Sequence, residues 1–308
     1  MAKTDSRKQR WFDMGADAIR RLLPDLPRLY VCPMCFHGFT PAGLHQLSID
    51  DVPPKSIGGR PMVLVCTRCN SSAGHRWDAH AAKREKMIDF AEGTLEVPIR
   101  ARLSMGGTEV NVDVTAQGSG IALVGRPGNS NPIAEARLRN SLDVIAAEGT
   151  TDHRFQLSLV GASYKHHEAL LSLLRAAYLA SFAALGYRYI FHRGLRDSVR
   201  RRLIDPSEEH PRIFSMTRPG ERDSAPFMMI VEQPTELCAL LVSFGRHAVF
   251  LPWPPDNVGL YDYLAEQRTD VVQNVEFTGK LLEWPRSPMH LLDRLSTDQA
   301  LPRTPPSA

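Results

Sequence analysis

Two pairs of closely spaced cysteines constrain the fold of this chain of 308 residues more than any other feature. Cys32 and Cys35 form the first pair, and Cys66 and Cys69 form the second. Each pair can supply two thiolate ligands from one tight turn, so the four cysteines predict a tetrahedral site for a structural Zn²⁺ ion. Four unconnected thiols, or disulfides, are the alternatives that the spacing leaves open.

The composition is that of an ordinary soluble globular protein, with 43% hydrophobic and 23% charged residues. The formal net charge of +3 is too small to indicate a nucleic-acid partner by itself, although it is compatible with local basic patches. Residues 1–8 lack the apolar core of a secretory signal. We therefore expect a cytoplasmic protein whose cysteines stay reduced and available for a metal. The fifth cysteine, Cys238, lies in an apolar run and is expected to be buried.

Residues 170–190 are apolar enough to raise the question of a membrane. A spanning helix needs ~20 apolar residues with few or no charges, and this segment is interrupted several times. We predict a buried core helix and no membrane partner. The interruptions are Ser172, Arg175, Ser181, Gly186 and Arg188.

The segment between the two cysteine pairs predicts a β-hairpin. Residues 47–50 form a strand that runs into Pro53 and Pro54, which end regular pairing. A Gly-Gly turn follows at residues 58–59, and residues 62–65 form the returning apolar strand. Asp50 is thus expected at the end of the first strand.

Helices are predicted on both sides of this hairpin. Before it, apolar residues at three- and four-residue steps from Trp11 to Leu22 predict a helix that ends at Pro24. After it, Asn70 is a favoured N-cap residue, and helical spacing continues to Ala91. The sequence therefore predicts two strands and a helix that a zinc ion holds together.

This arrangement resembles the HNH, or His-Me finger, endonucleases in their four-cysteine zinc form. The four cysteines carry the resemblance, together with Asp50 on the first strand and Asn70 directly after the last cysteine. Residues 52–61, which read Val-Pro-Pro-Lys-Ser-Ile-Gly-Gly-Arg-Pro, and residues 69–74 also look like stretches of bacterial HNH proteins. The match is confined to residues 32–78, and its combined spacing is more specific than any single motif.

The resemblance implies hydrolysis of phosphodiester bonds in nucleic acid, with DNA as the expected substrate. It also implies that Asp50 and Asn70 together hold one catalytic Mg²⁺ or Mn²⁺ ion. Carboxylate and amide oxygens are hard ligands that suit these ions better than they suit zinc. The ion would neutralise the scissile phosphate and stabilise the departing 3′ oxygen.

The chain departs from the family at the general base. The residue after the acidic ligand should be a histidine that activates water, but here it is Asp51, a weaker base at neutral pH. Pro61 stands where the family often has an asparagine that orients this histidine. Three interpretations stay open: Asp51 supports slow cleavage, another histidine takes its place, or the domain binds nucleic acid without cutting it.

Two basic stretches could contact a phosphate backbone, although solvated helix faces would look the same. The first comprises Lys83, Arg84 and Lys86, and the second is the run of arginines at residues 200–202. A third class of function is also open, in which the larger C-terminal region binds a partner.

Past residue 92 the pattern changes to alternating strands and separate helices, which predicts a larger α+β domain with a mostly antiparallel sheet. The expected fold class is thus α+β. The predicted division is an N-terminal helical extension at 1–31, a zinc-stapled ββα-metal (HNH) domain at 32–91, the α+β domain at 92–292 and a disordered tail at 293–308. DNA or RNA specificity and the oligomeric state stay open.

Overall fold

A computed structural model describes residues 2–95, 97–117, 120–126, 130–149, 154–205, 215–218, 223–253, 259–266 and 276–288. The chain is α+β, and it divides into two compact units. The first unit combines Met1–Ala81 with His167–Ala308, and the second is Ala82–His166. The predicted domain boundaries at residues 31, 91 and 292 stay predictions, and the tail at 293–308 lies outside the described residues.

Residues 2–91 contain one long helix, two short hairpins and a helix that follows the second hairpin. Residues up to Ala81 belong to the first unit, and the rest of that last helix belongs to the second. A π-helical turn, Gly74–Asp78, interrupts that helix. The elements are α1 (Ala2–Leu22), β1 (Tyr30–Val31), β2 (Gly38–Phe39), β3 (Leu47–Val52), β4 (Arg60–Cys66), α2 (Thr67–Ala73) and α3 (Ala79–Ala91). The predicted helix before the hairpin is confirmed as α1, and the predicted hairpin is confirmed as β3 and β4.

Helix α1 forms because its apolar residues fall on one face. Trp11, Phe12 and Ile19 are buried on that face, as their helical spacing requires. Gly15 is needed where α1 crosses β1, because a Cβ atom there would lie 2.4 Å from the ring of Tyr30. This close approach fixes α1 against the strand that leads into the first cysteine pair.

Besides the end of α3, the second unit contains a four-stranded antiparallel sheet, in the order β7-β6-β5-β8, and one further long helix. A Gly-Gly turn at residues 106–107 joins β5 to β6. Asn131 caps the helix by accepting the amide of Ile133, and Gly149 ends it with a positive φ of 62°. The elements are β5 (Ile99–Met105), β6 (Thr108–Gln117), β7 (Gly120–Gly125), α4 (Pro132–Glu148) and β8 (Gln156–Leu159).

The C-terminal part of the first unit contains a long helix, a short basic helical segment and a five-stranded antiparallel sheet in the order β13-β10-β11-β12-β9. Residues 196–200 of the basic segment form a second π-helical turn. The elements are α5 (His166–Ile190), α6 (Arg193–Leu195), α7 (Arg201–Ile204), β9 (Ser215–Thr217), β10 (Phe227–Gln233), β11 (Ala239–Phe244), β12 (His247–Pro252), α8 (Leu260–Glu266) and β13 (Thr278–Leu282).

Antiparallel pairing was predicted correctly, but it is divided between the sheets of the two units. Cys238 is half-buried and precedes β11, so the prediction that it is buried in the core is wrong. Its thiol donates to the carbonyl of Thr235 at 2.9 Å.

Helix α5 is the central element of the first unit's core. Among the described residues it is the one helix long and apolar enough to cross a bilayer, and 94% of its most apolar stretch is buried inside the protein. The predicted core helix is therefore confirmed. Gly186, one of the interruptions of the apolar segment, kinks the helix with a φ of 70°, and the helix continues to Ile190. Glycine adopts this φ without a steric penalty.

Candidate metal centre and the carboxylates beside it

Four sulfur atoms converge beside the hairpin of β3 and β4. Cys32 and Cys35 lie in the connection between β1 and β2, while Cys66 ends β4 and Cys69 lies in the first turn of α2. The four Sγ atoms lie within 4.8 Å of one another, and those of Cys35 and Cys66 are 3.8 Å apart. Zn–S bonds of ~2.3 Å in a tetrahedron also place the sulfurs about 3.8 Å apart.

The thiols of this cluster shift one another's pKa values strongly. A hydrogen bond with Cys32 lowers the pKa of Cys66 to about 6, and the same partner lowers the pKa of Cys35. The pKa of Cys32 rises in return. No disulfide joins any of the five cysteines, so the structure does not support the disulfide alternative. Four sulfurs at this spacing could bind a metal such as zinc, whose charge would stabilise all of them as thiolates.

Two residues far along the chain hold the turn that carries the first cysteine pair. The buried hydroxyl of Tyr178, on α5, donates to the carbonyl of Pro33 at 2.8 Å. Arg200 donates to the carbonyl of Met34 at 2.6 Å and lies 3.5 Å above the ring of Phe36. Sequence reasoning placed Arg200 on a DNA-binding or solvated face, and it missed Tyr178. The helical spacing of Tyr178 indicates burial but gives no sign of its partner.

Asp50 lies within β3, where it is only 6% exposed. Its carboxylate accepts a hydrogen bond from, and forms an ion pair with, the guanidinium of Arg175 on α5. Burial raises the pKa of Asp50, and the charge of Arg175 opposes this rise. Asp50 was expected at a strand end as a ligand of the catalytic cation. In the structure its carboxylate is instead covered by α5, whose buried arginine sequence reasoning treated only as an interruption of an apolar segment.

Asn70 is not the N-cap residue that the sequence predicts. Helix α2 begins at Thr67, with Cys66 in the cap position, so Asn70 lies inside the first turn. The helix starts early because its first turn brings Cys69 back toward Cys66. The side-chain amide of Asn70 donates to the hydroxyl of Ser48 at 3.1 Å.

The two residues predicted to share a catalytic cation therefore have separate protein partners. Ser48, which binds Asn70, and Asp50 are two residues apart and lie on the same face of β3. Asn70 is thus brought to the same strand as Asp50, but its amide nitrogen faces Ser48 while the carboxylate of Asp50 faces Arg175.

Asp51 is half-buried and follows a break in the strand register. Asp50 lies opposite Val63, whereas Asp51 lies opposite Pro61, so Met62 is an extra residue in β4. Proline has no side-chain group that could orient a base. The structure therefore supplies no replacement for the missing asparagine at this position.

Asp78 is a further acid near Asp50 that helical spacing alone does not place there. It lies at the end of the π-helical turn, which changes the angular phase of the helix relative to a regular α-helix. Its carboxylate accepts a hydrogen bond from Ser172 on α5 at 2.6 Å, and its charge raises the pKa of Asp50, as does the charge of Asp51. We call Asp50, Asp51, Asp78 and Arg175 the Asp50 cluster.

The basic residues that were predicted to contact phosphate differ in their exposure to solvent. Arg84 is buried and lies 3.7 Å from the carboxylate of Glu85, so it does not offer its charge to a ligand. Lys83 is exposed and donates to the carbonyl of Ser163 at 3.3 Å. In the first unit, four exposed cations lie on the hairpin and the helix after it: Lys55, Arg60, Arg68 and Arg76.

Comparison with known proteins leaves the family open. No protein-family model, no curated protein and no solved structure matches this chain. The resemblance to HNH endonucleases thus depends on the motifs in residues 32–78 alone, because a four-cysteine cluster by itself does not identify a family.

Proposed function

We propose that this protein binds nucleic acid through its zinc-stapled hairpin and helix, and that it does not hydrolyse the bound strand. The observation that carries the proposal is the buried ion pair between Asp50 and Arg175. Mg²⁺ and Mn²⁺ need oxygen ligands with room for water and phosphate around them. A carboxylate that a guanidinium neutralises beneath a core helix does not offer such a site.

The general-base position supports the same conclusion. An aspartate of ordinary pKa near ~3.9 accepts a proton poorly at neutral pH, where histidine, near ~6.5, is effective. Asp51 occupies that position, and Pro61 opposite it cannot orient a base. Both parts of the hydrolytic machinery thus differ from an active HNH centre, while the cysteines that support the fold are complete.

The surface of the hairpin and helix supports a polyanionic ligand. Lys55 and Arg60 are exposed near the turn between β3 and β4, and Arg68 and Arg76 are exposed on the following helical segment. Each cation that neutralises a phosphate of duplex DNA adds about 0.9 to the slope of log K against log salt. A protein that binds in this way loses affinity steeply as salt rises.

Zinc content tests the structural part of the proposal. We expect one Zn²⁺ per chain by elemental analysis of the purified protein. Cys66→Ser should remove most of the metal, because a tetrahedral site then has only three thiolates. Cys238→Ser is the matched control and should leave the zinc content unchanged, since Cys238 lies outside the cluster. Equal zinc loss in both variants would contradict the four-cysteine site.

Fluorescence anisotropy with labelled DNA duplex, single-stranded DNA and RNA tests binding. For duplex DNA, affinity should fall strongly between about 50 and about 200 mM salt. The double variant Lys55→Gln/Arg60→Gln should bind more weakly and lower the salt slope by about two. The control variant Arg137→Gln/Lys280→Gln removes two exposed cations elsewhere and should bind as the unaltered protein does. No affinity for any of the three at low salt would instead favour a protein partner.

Endonuclease activity with Mg²⁺ or Mn²⁺ is the second candidate. It is favoured by the crowding of Asp50, Asp51 and Asp78, whose mutual repulsion a divalent cation would relieve. A plasmid-nicking assay with and without Mn²⁺ separates the two candidates. Cleavage that is lost in both Asp50→Ala and Asn70→Ala, and that rises in Asp51→His, would establish the nuclease and overturn the non-hydrolytic proposal. A cytoplasmic location also stays a proposal.

A further inference from the structure

A cavity of about 450 Å³ lies in the second unit, between its sheet and helix α4. This volume is within the range of sites for small molecules. Its floor comes from Leu103, Val110 and Val112 of the sheet, and its helical wall includes Leu138 and Leu142. The cavity exists because α4 covers the sheet incompletely: Leu138 is the only residue of the helix that is buried among those described.

The rim of this cavity is more apolar than an ordinary protein surface. Leu123, Leu142 and Phe155 all line it, and they are 39%, 47% and 62% exposed. Large apolar side chains that remain in contact with water lower the stability of the folded state, and a ligand with an apolar body would cover them. The cavity therefore favours a ligand that is mainly hydrocarbon.

Glu135 supplies a charged group to the wall of this cavity. Its Oε1 atom is shielded from solvent and receives no hydrogen bond from the described residues. The first turn of α4 favours a negative charge there, but the dipole of a helix does not replace a hydrogen bond. This oxygen atom thus lacks a donor, which a cationic group would supply in the strongest form.

Arg139 also lines the cavity, one helical turn after Glu135, and its side chain is exposed. Among the described residues no ion pair joins it to Glu135. A ligand with an anionic group would select Arg139 at the opening, whereas a ligand with a cationic group would select Glu135. The shielded oxygen favours the second outcome, because an exposed guanidinium is already hydrated and gains little from an anion.

We propose that this cavity binds a small organic cation, with an apolar body against the sheet and α4 and a protonated amine or guanidinium at Glu135. This site is independent of the zinc cluster and of the proposed nucleic-acid surface. The ligand would bind to a part of the chain that lies outside the cysteine motifs.

The test uses three probes of equal chain length: octylamine, octanol and octanoate, titrated into the full-length protein and followed by calorimetry or ligand-observed NMR. Octylamine should bind about tenfold more tightly than octanoate, as a charge-assisted hydrogen bond implies. Glu135→Gln should abolish this preference while leaving the affinity for octanol unchanged. Glu148→Gln, which alters an exposed acid at the end of the same helix, is the control and should keep the preference.

A second variant keeps the proposal testable if Glu135→Gln fails to fold. Leu142→Trp adds bulk at a half-exposed position of the wall and should weaken the binding of all three probes alike. Equal or tighter binding of octanoate would overturn the proposal by showing that Arg139 selects the ligand. Absence of binding for all three probes would show that the cavity is not a ligand site.

Discussion

At the scale of single residues, Asp50 and Arg175 each depend on the charge of the other. Both side chains are almost completely shielded from water, at 7% and 2% exposure. Removal of one partner leaves an uncompensated buried charge, which is strongly destabilising, whereas removal of both leaves a space that apolar groups can fill. The pair is therefore better tested by comparing single and double replacements than by either single replacement.

We expect Asp50→Leu and Arg175→Met each to lower the free energy of unfolding by about 3–5 kcal/mol. The double variant should recover most of this loss, because it removes both charges together. Urea unfolding of the four proteins measures the coupling. Asp197→Ala, which breaks an exposed pair with Arg196, is the control and should cost less than about 1 kcal/mol. Additive losses in the double variant would show that the two side chains are not coupled.

At the scale of elements, α5 holds the first cysteine pair through two tyrosine hydroxyls. That of Tyr187 donates to the carbonyl of Val31, next to Cys32, and accepts from the amide of the same residue. Tyr178 donates to the carbonyl of Pro33, within the first cysteine pair. Tyr189, farther along the same helix, makes a hydrogen bond of equal length, 2.8 Å, to the carbonyl of Pro252 on β12. Tyr178 and Tyr189 are buried alike, so they form a matched pair in which each hydroxyl holds a different part of the chain.

We expect Tyr178→Phe and Tyr189→Phe to lower the free energy of unfolding by similar amounts, about 1–3 kcal/mol, because each leaves a buried carbonyl without a donor. Only Tyr178→Phe should also weaken zinc binding, by about tenfold or more, since groups behind the ligands orient them. Competition with a chelating dye measures zinc affinity. A similar loss in Tyr189→Phe would mean that zinc affinity follows global stability instead of the orientation of the first pair.

The elements themselves could be predicted well from local pattern, for reasons that the structure makes clear. The helix from Pro132 to Glu148 has a proline at its first position, an asparagine cap and a glycine at its end, so its boundaries depend only on neighbouring residues. The start of α2 could not be predicted in this way. Closure of the cysteine cluster fixes it, and a local cap preference at Asn70 is overridden.

At the scale of the whole molecule, the described residues form two separate hydrophobic cores. The larger includes α1, the hairpin of β3 and β4, α5 and the five-stranded sheet. The smaller comprises six buried residues of the second unit and a few partly buried neighbours. A small core buries less apolar surface, so it leaves less free energy to offset the ordering of the chain. Because the two cores are separate, a core mutation in one unit should lower the stability of that unit and leave the stability of the other unchanged.

We expect Leu103→Ala and Leu174→Ala each to cost about 2–5 kcal/mol in the unit that contains the residue. Hydrogen exchange measured by mass spectrometry should show Leu103→Ala increasing exchange in β5, β6 and β7, with β11 and β12 unchanged. Leu174→Ala should produce the reverse pattern. Increased exchange throughout the chain from either replacement would show that the two cores unfold as one.

The four-cysteine cluster, the hairpin and most helices and strands could be predicted from local sequence, because tight turns, alternation and caps act between residues that are close along the chain. The state of Asp50 could not, because it depends on a contact that forms only when the chain folds. Arg175 lies 125 residues later, and no periodicity in either segment relates the two. The packing of α5 over β3 buries both charges together. Asp50, which was expected to bind a catalytic cation, therefore forms an ion pair with Arg175.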